Sequence, residues 1–502
     1  MSRVRLRLTA LLVSLISIAA SFAFSIAVTR KLPLVYLGVL NVFNGAIIFG
    51  SLPIGIVSFM SPRLSAKYGK LSFGLLFLSF ILALFGSAIS LIFLLDIKSR
   101  IPESYFFVLA LLTVLSIITN SFGSSFSSGL TVFNRSRLIF SSLVSSLVKL
   151  ASILYIMRSN WSLQSVMIST FIINLSSVVY SLASVKPYLG REASFRRLAK
   201  EFFSGSWVSL IGYASNNIRS LDSFAIASVG GIQDNALWQV LGVIGSAYSF
   251  RGLLFNITYG ELLEKGERVK RIYYDLLFVL SSVTLVSVFI IIFEPQVIAF
   301  LRPTNLYLIK VLYVPVALWA LTNIVNTFSQ YLSNVMQGVE RVDFTKEIDL
   351  KTYWKSLVFY AHFAEFINTV SYVGLILPAV FALKAFSVYL YVIDGVILAS
   401  LISIIIAVAI RLKTYKEFRD YVKIRELLPD YFVPLFLSFL ILLLIRPFLF
   451  RLMPVTVSAY LGLLRLSAFF LITALIYYGL SALISKRVRL LAKLLVRSLF
   501  SI

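Results

Sequence analysis

The sequence predicts an all-α, polytopic membrane protein with about 14 transmembrane helices. Of the 502 residues, 59% are hydrophobic and only 13% are charged, and the mean hydropathy is +0.93. A soluble chain averages about 45–50% apolar and about 25% charged residues. Here the apolar residues come in blocks of roughly 20, the length that crosses a hydrocarbon core about 30 Å thick. The segments between these blocks are short, which leaves no room for a soluble catalytic domain.

The predicted spans follow the apolar blocks along the chain. The first block comes after three arginines, as in a signal peptide, but it is too long for one and a second block follows directly. We therefore interpret it as an uncleaved helix. The predicted spans are 9–28, 37–59, 71–95, 105–128, 138–156, 163–185, 205–229, 236–258, 272–293, 309–333, 356–378, 386–410, 431–450 and 459–482.

The positive charges predict the orientation of the chain. Most of the 46 Lys and Arg lie in alternate connecting segments, and such segments stay cytoplasmic. This places both termini on the cytoplasmic side of a plasma (cytoplasmic) membrane. The net charge of +25 is therefore interpreted as topology and contact with anionic inner-leaflet lipids, and not as nucleic-acid binding.

Three connecting segments are predicted to form surface helices or to lie along the membrane interface. In 483–502, basic residues recur every four positions with leucines between them, a pattern typical of an amphipathic helix on an anionic leaflet. Segment 411–430 is similar but more mixed in charge. The outer segment 294–308 is expected to lie along the interface.

A faint repeat predicts the domain organisation. Leu37-Gly38-Val39 and Leu241-Gly242-Val243 resemble each other, and the basic segments 60–70 and 259–271 keep the same spacing. Two six-helix halves of equal orientation form a parallel repeat about an axis along the membrane normal. The predicted parts are an N-lobe (1–200, spans 1–6), a C-lobe (201–410, spans 7–12), and two extra spans with a basic C-terminal amphipathic helix (411–502).

Several kinds of chemistry are excluded or disfavoured by the residues present. The chain has no cysteine and a single histidine, so thiolate chemistry is excluded and His-based triads or zinc clusters have little to work with. Gly69-Lys70 lacks the remaining residues of a phosphate loop, so nucleotide hydrolysis is excluded. We expect no enzyme activity, no metal and no cofactor.

Charged residues within the predicted spans are the strongest candidates for function. Each costs roughly 2.5–3.5 kcal/mol on insertion scales and usually faces a cavity or a partner. Arg219, Asp222 and Asn216 share one helical face, as a rigid self-neutralising pair or as a polar cavity wall. The candidates deep within the spans are Lys149, Arg219, Asp222, Arg251, Glu365, Asp394 and Arg465.

The cations favour a cavity that an anion can enter. Lys149 and Arg251 have no acidic partner within their own helices, and an unpaired buried cation is costly unless water or an anion reaches it. We predict that Lys149, Arg219 and Arg251 line such a cavity; the alternative is salt bridges to Glu365 or Asp394 in the fold. Uncharged polar residues in spans 2 and 10 predict hydrogen bonds between helices or contact with a polyhydroxylated ligand. These residues are Asn41, Asn44, Asn323 and Asn326.

Short motifs in the first and seventh spans resemble a known family. Arg30-Lys31-Leu32, five further residues and Gly38, then the stretch from Gly50 to Lys70, are similar to helices 1 and 2 of polysaccharide and lipid-linked oligosaccharide flippases. These belong to the multidrug/oligosaccharidyl-lipid/polysaccharide exporter superfamily. Leu221-Asp222 and the turn at Gly230-Gly231 resemble the opening of the second lobe, although Trp238 replaces the frequent tyrosine.

The resemblance implies a MATE-like fold, with two six-helix lobes around a central cationic cavity that opens alternately to each side. It places Arg30 near the outer gate and Arg219, Asp222 and Arg251 on the wall of the C-lobe, with Lys149 as a further cation. The implied substrate is an isoprenoid phosphate- or diphosphate-linked glycan, flipped from the cytoplasmic to the outer leaflet. Glycosyltransferases or a polymerase of the same pathway are the implied partners.

Three alternatives remain open. An ion-coupled cation or drug antiporter of the same fold would use Asp222, Glu365 and Asp394, although the neighbouring cations compete. A membrane glycosyltransferase usually needs a large external loop, which the chain lacks. The buried charges argue against a scaffold subunit that transports nothing.

Overall fold

The computed structural model describes residues 3–191, 194–203, 215, 218–251, 255, 268–339, 354–384, 389–418, 422 and 424–489. Asn216, nearly half of predicted span 7, the end of predicted span 8 and the C-terminal half of the predicted basic helix lie outside these residues.

Long helices make up most of the described chain. From the N-terminus they are α1 (Arg3–Lys31), α2 (Leu34–Gly50), α3 (Ile54–Tyr68), α4 (Phe73–Asp96), α5 (Glu103–Phe133), α6 (Arg135–Arg158), α7 (Leu163–Val185), α8 (Leu221–Val229) and α9 (Ile232–Gly245). They continue as α10 (Arg268–Ile292), α11 (Glu294–Leu301), α12 (Leu308–Val339), α13 (Leu357–Lys384), α14 (Tyr389–Thr414), α15 (Ile424–Leu427), α16 (Val433–Leu452) and α17 (Ala459–Ile484). A π-helical turn, Leu428–Phe432, joins α15 to α16.

Helix length and composition confirm a polytopic, all-α membrane protein. Within the described residues, nine helices are long and apolar enough to cross a membrane, or ten if the bent pair α2 and α3 is one span. They coincide with predicted spans 2 to 6, 9, 10 and 12 to 14. Predicted spans 1 and 11 correspond to α1 and α13, which have 29 and 28 residues.

Predicted span 2 is interrupted, which hydropathy could not reveal. Helix α2 ends at Gly50, α3 begins at Ile54, and their axes differ by 56°. Pro53 stands immediately before α3; it lacks the N–H that a continuous helix would need at this point. The bend lies where α2 approaches α4 most closely, because a Cβ at Gly86 would collide with the carbonyl oxygen of Gly50.

Within the described residues, one pair of two-residue strands departs from the all-α pattern. Strand β1 (Leu71–Ser72) pairs in parallel with β2 (Leu189–Gly190), with Leu71 opposite Leu189 and Ser72 opposite Gly190. Helices α4 to α7 lie between them in the sequence. Ser72 also caps α4 by accepting a hydrogen bond from the Gly74 backbone N–H at 3.0 Å.

The chain forms two compact units. Unit 1 comprises Met1–Val243 and Thr369–Val396, and unit 2 comprises Ile244–Asn368 and Ile397–Ile502. Serine pairs hold helices of unit 1 together: the hydroxyls of Ser79 and Ser125 lie 2.7 Å apart between α4 and α5. Small polar residues of this kind let membrane helices approach closely. The lobe boundaries predicted at residues 200 and 410 stay a prediction.

Helix α11 is buried, so the expectation that 294–308 lies along the interface is wrong for this part of the segment. All its residues except Pro295 are buried. The side-chain amide of Gln296 accepts from the backbone N–H of Thr456 at 3.0 Å and donates to its carbonyl at 3.2 Å. These two hydrogen bonds provide partners for the Gln296 amide and for the backbone of Thr456 in the loop between α16 and α17. The polar side chain of Gln296 can therefore be buried.

Candidate functional site

Arg219 and Asp222 form a cluster with Tyr372 in unit 1. Asp222 lies in the first turn of α8, and Tyr372 comes from α13. The Tyr372 hydroxyl donates to Asp222 Oδ2 at 3.2 Å, and the Arg219 guanidinium lies 5.0 Å from the centre of the Tyr372 ring. The tyrosine therefore contacts the anion with its hydroxyl and the cation with its ring face.

The Asp222 carboxylate has further donors. Trp238 of α9 and the backbone N–H of Ser223 both donate to it. Trp238 is the position at which the sequence departs from the frequent tyrosine of the resembling family. The Trp238 indole N–H therefore takes part in the contact with Asp222.

Lys149 is a residue of α6, and its side chain contacts α1. Its ammonium donates to the Ser21 hydroxyl at 2.8 Å. Arg30 lies in the last turn of α1 and is half-buried. Arg30 on α1 and Lys149 beside it therefore both lie in unit 1. That they contact the substrate stays a prediction.

One face of α2 packs against α8 and α9 through Gly38, Asn41 and Gly45; we call it the α2 face. Asn41 Nδ2 donates to Asn235 Oδ1 at 2.6 Å, and Asn235 Nδ2 donates to the Gly38 carbonyl at 3.0 Å. Both glycines are required by close approach. A Cβ at Gly38 would collide with Ile232 and one at Gly45 with Ser223.

In unit 2, Arg251 is positioned by a break in predicted span 8. Helix α9 ends at Gly245, and the 3-10 turn Ser246–Tyr248 follows before the helical residue Arg251. Arg251 Nη1 donates to Asn323 Oδ1 at 3.0 Å and to Thr327 Oγ1 at 3.4 Å, both on α12. Amide and hydroxyl oxygens orient the guanidinium without removing its charge.

Glu365 pairs with a cation that sequence analysis assigned elsewhere. Arg411 Nη2 lies 2.8 Å from Glu365 Oε2, and Arg411 also donates to the carbonyl oxygens of Ser329 at 3.1 Å and Ala361 at 3.2 Å. Helix α14 extends to Thr414, so Arg411 belongs to a buried helix end and the expectation of a surface helix across 411–430 is wrong at this residue.

The other predicted residues are placed more simply. Asn44 on α2, Asn326 on α12 and Asp394 on α14 are half-buried. Asp394 Oδ1 accepts no hydrogen bond from the part of the chain that the structure describes. Asn216 lies outside the described residues.

Five partners of the predicted residues were not predicted from the sequence. Four of them carry no charge, namely Ser21, Tyr372, Thr327 and Asn235, and Arg411 was counted among cytoplasmic loop charges. A signal existed only for Arg411, because Glu365 deep in span 11 needed a cation within reach. Within the described residues, no group of three His, Cys, Asp or Glu could hold a metal ion.

Solved structures share this architecture across nearly the whole chain. The lipid II flippase MurJ, in an inward closed conformation, matches with a TM-score of 0.67 over 94% of this chain and 98% of its own, at 15% sequence identity. The chain has the fold of the multidrug/oligosaccharidyl-lipid/polysaccharide exporter superfamily. A MATE protein in complex with MaL6 matches this exporter fold with a TM-score of 0.50 over 82% of this chain and 96% of its own, at 16% identity.

No protein-family model matches the chain, and no curated protein matches it in sequence. The exporter fold is therefore established by structure, as the short motifs around Gly38 and Asp222 predicted.

Proposed function

We propose that the chain is a membrane transporter that flips a lipid-linked oligosaccharide from the cytoplasmic to the outer leaflet by alternating access. It would do so as a multi-pass protein of the plasma membrane with both termini in the cytoplasm, supplied by glycosyltransferases or a polymerase of one pathway. The exporter fold supports transport in general. The choice of substrate depends on the cations.

The observation that carries the proposal is the guanidinium of Arg251, oriented by Asn323 and Thr327 beside the break in predicted span 8. The planar fork of arginine gives two directed hydrogen bonds to phosphate oxygens. The two oxygens that fix the Arg251 side chain are themselves neutral. Arg30, Lys149 and Arg219 are further cations that we propose to contact the substrate.

The physics of the substrate explains why such a site is needed. The isoprenoid tail of a lipid-linked glycan can stay in lipid throughout. The sugar head cannot cross unaided, because each unpaired hydroxyl costs several kcal/mol in hydrocarbon. A hydrated, cationic pathway would remove most of this barrier, and rocking of two helical lobes would move the head across.

The second candidate is an ion-coupled cation or drug antiporter of the same fold. The acidic groups favour it: Asp222 is held by a tyrosine, a tryptophan and a backbone N–H, and Asp394 Oδ1 is buried without a hydrogen bond from the described residues. The arginine beside Asp222 disfavours binding of a cation there.

Substitution of the cations tests the proposal. We expect Arg251→Ala and Arg219→Ala to abolish glycan export in a flippase-deficient strain while membrane insertion stays normal, with Arg251→Lys partly active. Arg465→Ala is the matched control, because this arginine also lies in a span but donates to the Pro454 carbonyl. Full complementation by both alanine variants would remove the anion-binding model. Efflux of a cationic dye from vesicles, driven by a proton gradient, would favour the antiporter instead.

A further inference from the structure

The contact between the α2 face and α9 places a carboxylate next to its central hydrogen bond. Asn235 bonds both Asn41 and Gly38, and Asp234 is the residue before it, in the first turn of α9. All four residues belong to unit 1.

Asp234 is almost completely enclosed. Its side chain is 1% exposed, and Oδ1 accepts no hydrogen bond from the described residues. The turn before α9 closes on the other oxygen, since a Cβ at Gly230 would collide with Oδ2. Gly231 follows with φ of +93°, a conformation that favours glycine. The Gly230-Gly231 pair therefore lets the backbone wrap around the carboxylate.

Burial of this kind disfavours the ionised form, because a carboxylate without donors loses its hydration with nothing in exchange. Burial accordingly raises the pKa of Asp234 to about 7, and none of the surrounding charged groups in the described chain adds to that effect. The titratable and charged groups on α2, α8, the 3-10 turn Lys98–Arg100 and the start of α5 are Tyr36, Asp222, Lys98, Arg100, Glu103 and Tyr105.

We infer that Asp234 is a proton-binding site of the transport cycle: it takes up a proton when the α2 face closes on α8 and α9 and releases it when that contact opens. The enclosed carboxyl, the glycine turn around it and its position beside Asn235 carry this inference. The link to transport depends on the proposed function, because α2 belongs to the predicted N-lobe and α8 to the predicted C-lobe, and these lobes would part during alternating access. The coupled ion would then be H⁺, bound at the helix contact and not among the substrate cations.

The direction of the pH effect follows from linkage. In the open contact the carboxyl is hydrated and has an ordinary pKa of about 3.9, while in the closed contact its pKa is about 7. The closed state therefore keeps its full stability below the ordinary value and loses it as pH rises through about 7. The ratio of open to closed molecules should rise about tenfold per pH unit across that window and level off above it.

Cysteine labelling measures the opening directly, since the chain has no cysteine of its own. Ser223 faces Gly45 in the contact and is 3% exposed, so Ser223→Cys should react with N-ethylmaleimide only when the contact opens. Thr304→Cys, at an exposed position, corrects for the reactivity of the thiol at each pH. Ser79→Cys, buried between α4 and α5, reports whether the fold itself loosens.

In membrane vesicles without substrate, we expect the corrected labelling rate of Ser223→Cys to rise at least about tenfold between pH 5.5 and 7.5. Asp234→Asn should hold it low and flat, Asp234→Glu should keep a pH dependence, and Ser79→Cys should stay protected in every variant. A flat profile in the parent, or a pH dependence that survives Asp234→Asn, would overturn the inference. No glycan is present in this experiment, so its result does not depend on whether the chain transports a glycan. Intact glycan transport together with a flat labelling profile would overturn the proton site and leave the proposed function standing.

Discussion

The guanidinium of Arg411 lies 2.8 Å from the carboxylate of Glu365 inside unit 2, with 1% of the arginine side chain exposed. Carbonyl oxygens from α12 and α13 complete its surroundings. One arginine at the end of α14 thus joins three helices, and it neutralises an acid that sequence analysis considered for ion coupling.

Removal of Arg411 should destabilise unit 2 strongly. Arg411→Ala leaves a carboxylate and two carbonyl oxygens without their donor, which costs about 3–5 kcal/mol for a buried pair. We expect a clearly lower melting temperature in detergent for Arg411→Ala, with much of the loss recovered in the double variant Arg411→Met/Glu365→Leu. Lys413→Ala, at an exposed position two residues on, should melt like the parent. Equal melting of Arg411→Ala and the parent would show that the ion pair contributes nothing.

Close packing at Gly45 gives a second prediction. Gly45→Ala would force a methyl group against the Ser223 hydroxyl, and such overpacking costs about 1–3 kcal/mol. We expect α2 to be pushed from α8 and glycan transport to fall, as measured by initial flipping rates in reconstituted vesicles. The additional change Ser223→Ala leaves only a Cβ at 3.1 Å and should restore part of the rate.

Gly242→Ala is the control for this effect, since a Cβ there meets nothing within 4 Å. If both glycine variants transport alike, the α2 face does not limit the cycle.

Tyr372 offers a way to separate the two ends of the Arg219–Asp222 cluster. Tyr372→Phe removes the hydroxyl that donates to Asp222 but keeps the ring under Arg219. A hydrogen bond to a charged group contributes about 1.5–3 kcal/mol, so we expect flipping to slow by roughly tenfold or more. Tyr36→Phe, whose hydroxyl accepts from Tyr105 at 3.3 Å, should have a much smaller effect. Wild-type rates in Tyr372→Phe would remove the cluster from the mechanism.

The burial of Glu294 predicts that the stability of unit 2 depends on pH. Its side chain is 1% exposed, and burial raises its pKa to about 8 despite the opposing charge of Arg446. Because the pKa is raised in the folded state, stability is full below about 4.3, the ordinary value, and is lost as pH rises through about 8.

We therefore expect the melting temperature of the parent to fall between pH 5 and 8 more steeply than that of Glu294→Gln, which has no proton to lose. Glu103→Gln, at an exposed position, should follow the parent at every pH. Parallel curves for the parent and Glu294→Gln would contradict the assignment.

Hydropathy and charge alternation predicted most of the fold because both depend on residue type and spacing along one helix. The helices from α4 to α7 and from α16 to α17 lie where the apolar blocks placed them. The bend at Pro53 and the break after Gly245 were missed, because a window of about 20 apolar residues averages over a turn. Burial of α11 was missed as well: Glu294 and Arg302 look interfacial by composition, whereas Gln296 satisfies a distant loop in the fold.

The charged residues of the candidate site could be predicted from the sequence, but the residues that contact them could not. Arg219 lies in the turn just before α8 and Asp222 in the first turn of α8, so their proximity follows from a spacing of three. Tyr372, Asn235 and Thr327 come from other helices, and their contacts depend on how helices rotate and pack. Since hydroxyl and amide side chains are common in membrane helices, nothing in the sequence singled these three out.

The short parallel pairing of β1 with β2 has a consequence for biogenesis. Four helices separate the two strands along the chain, so Leu71 stays without its partner until the ribosome has delivered α7. The pairing of β1 with β2 can therefore form only after the four helices between them have been synthesised.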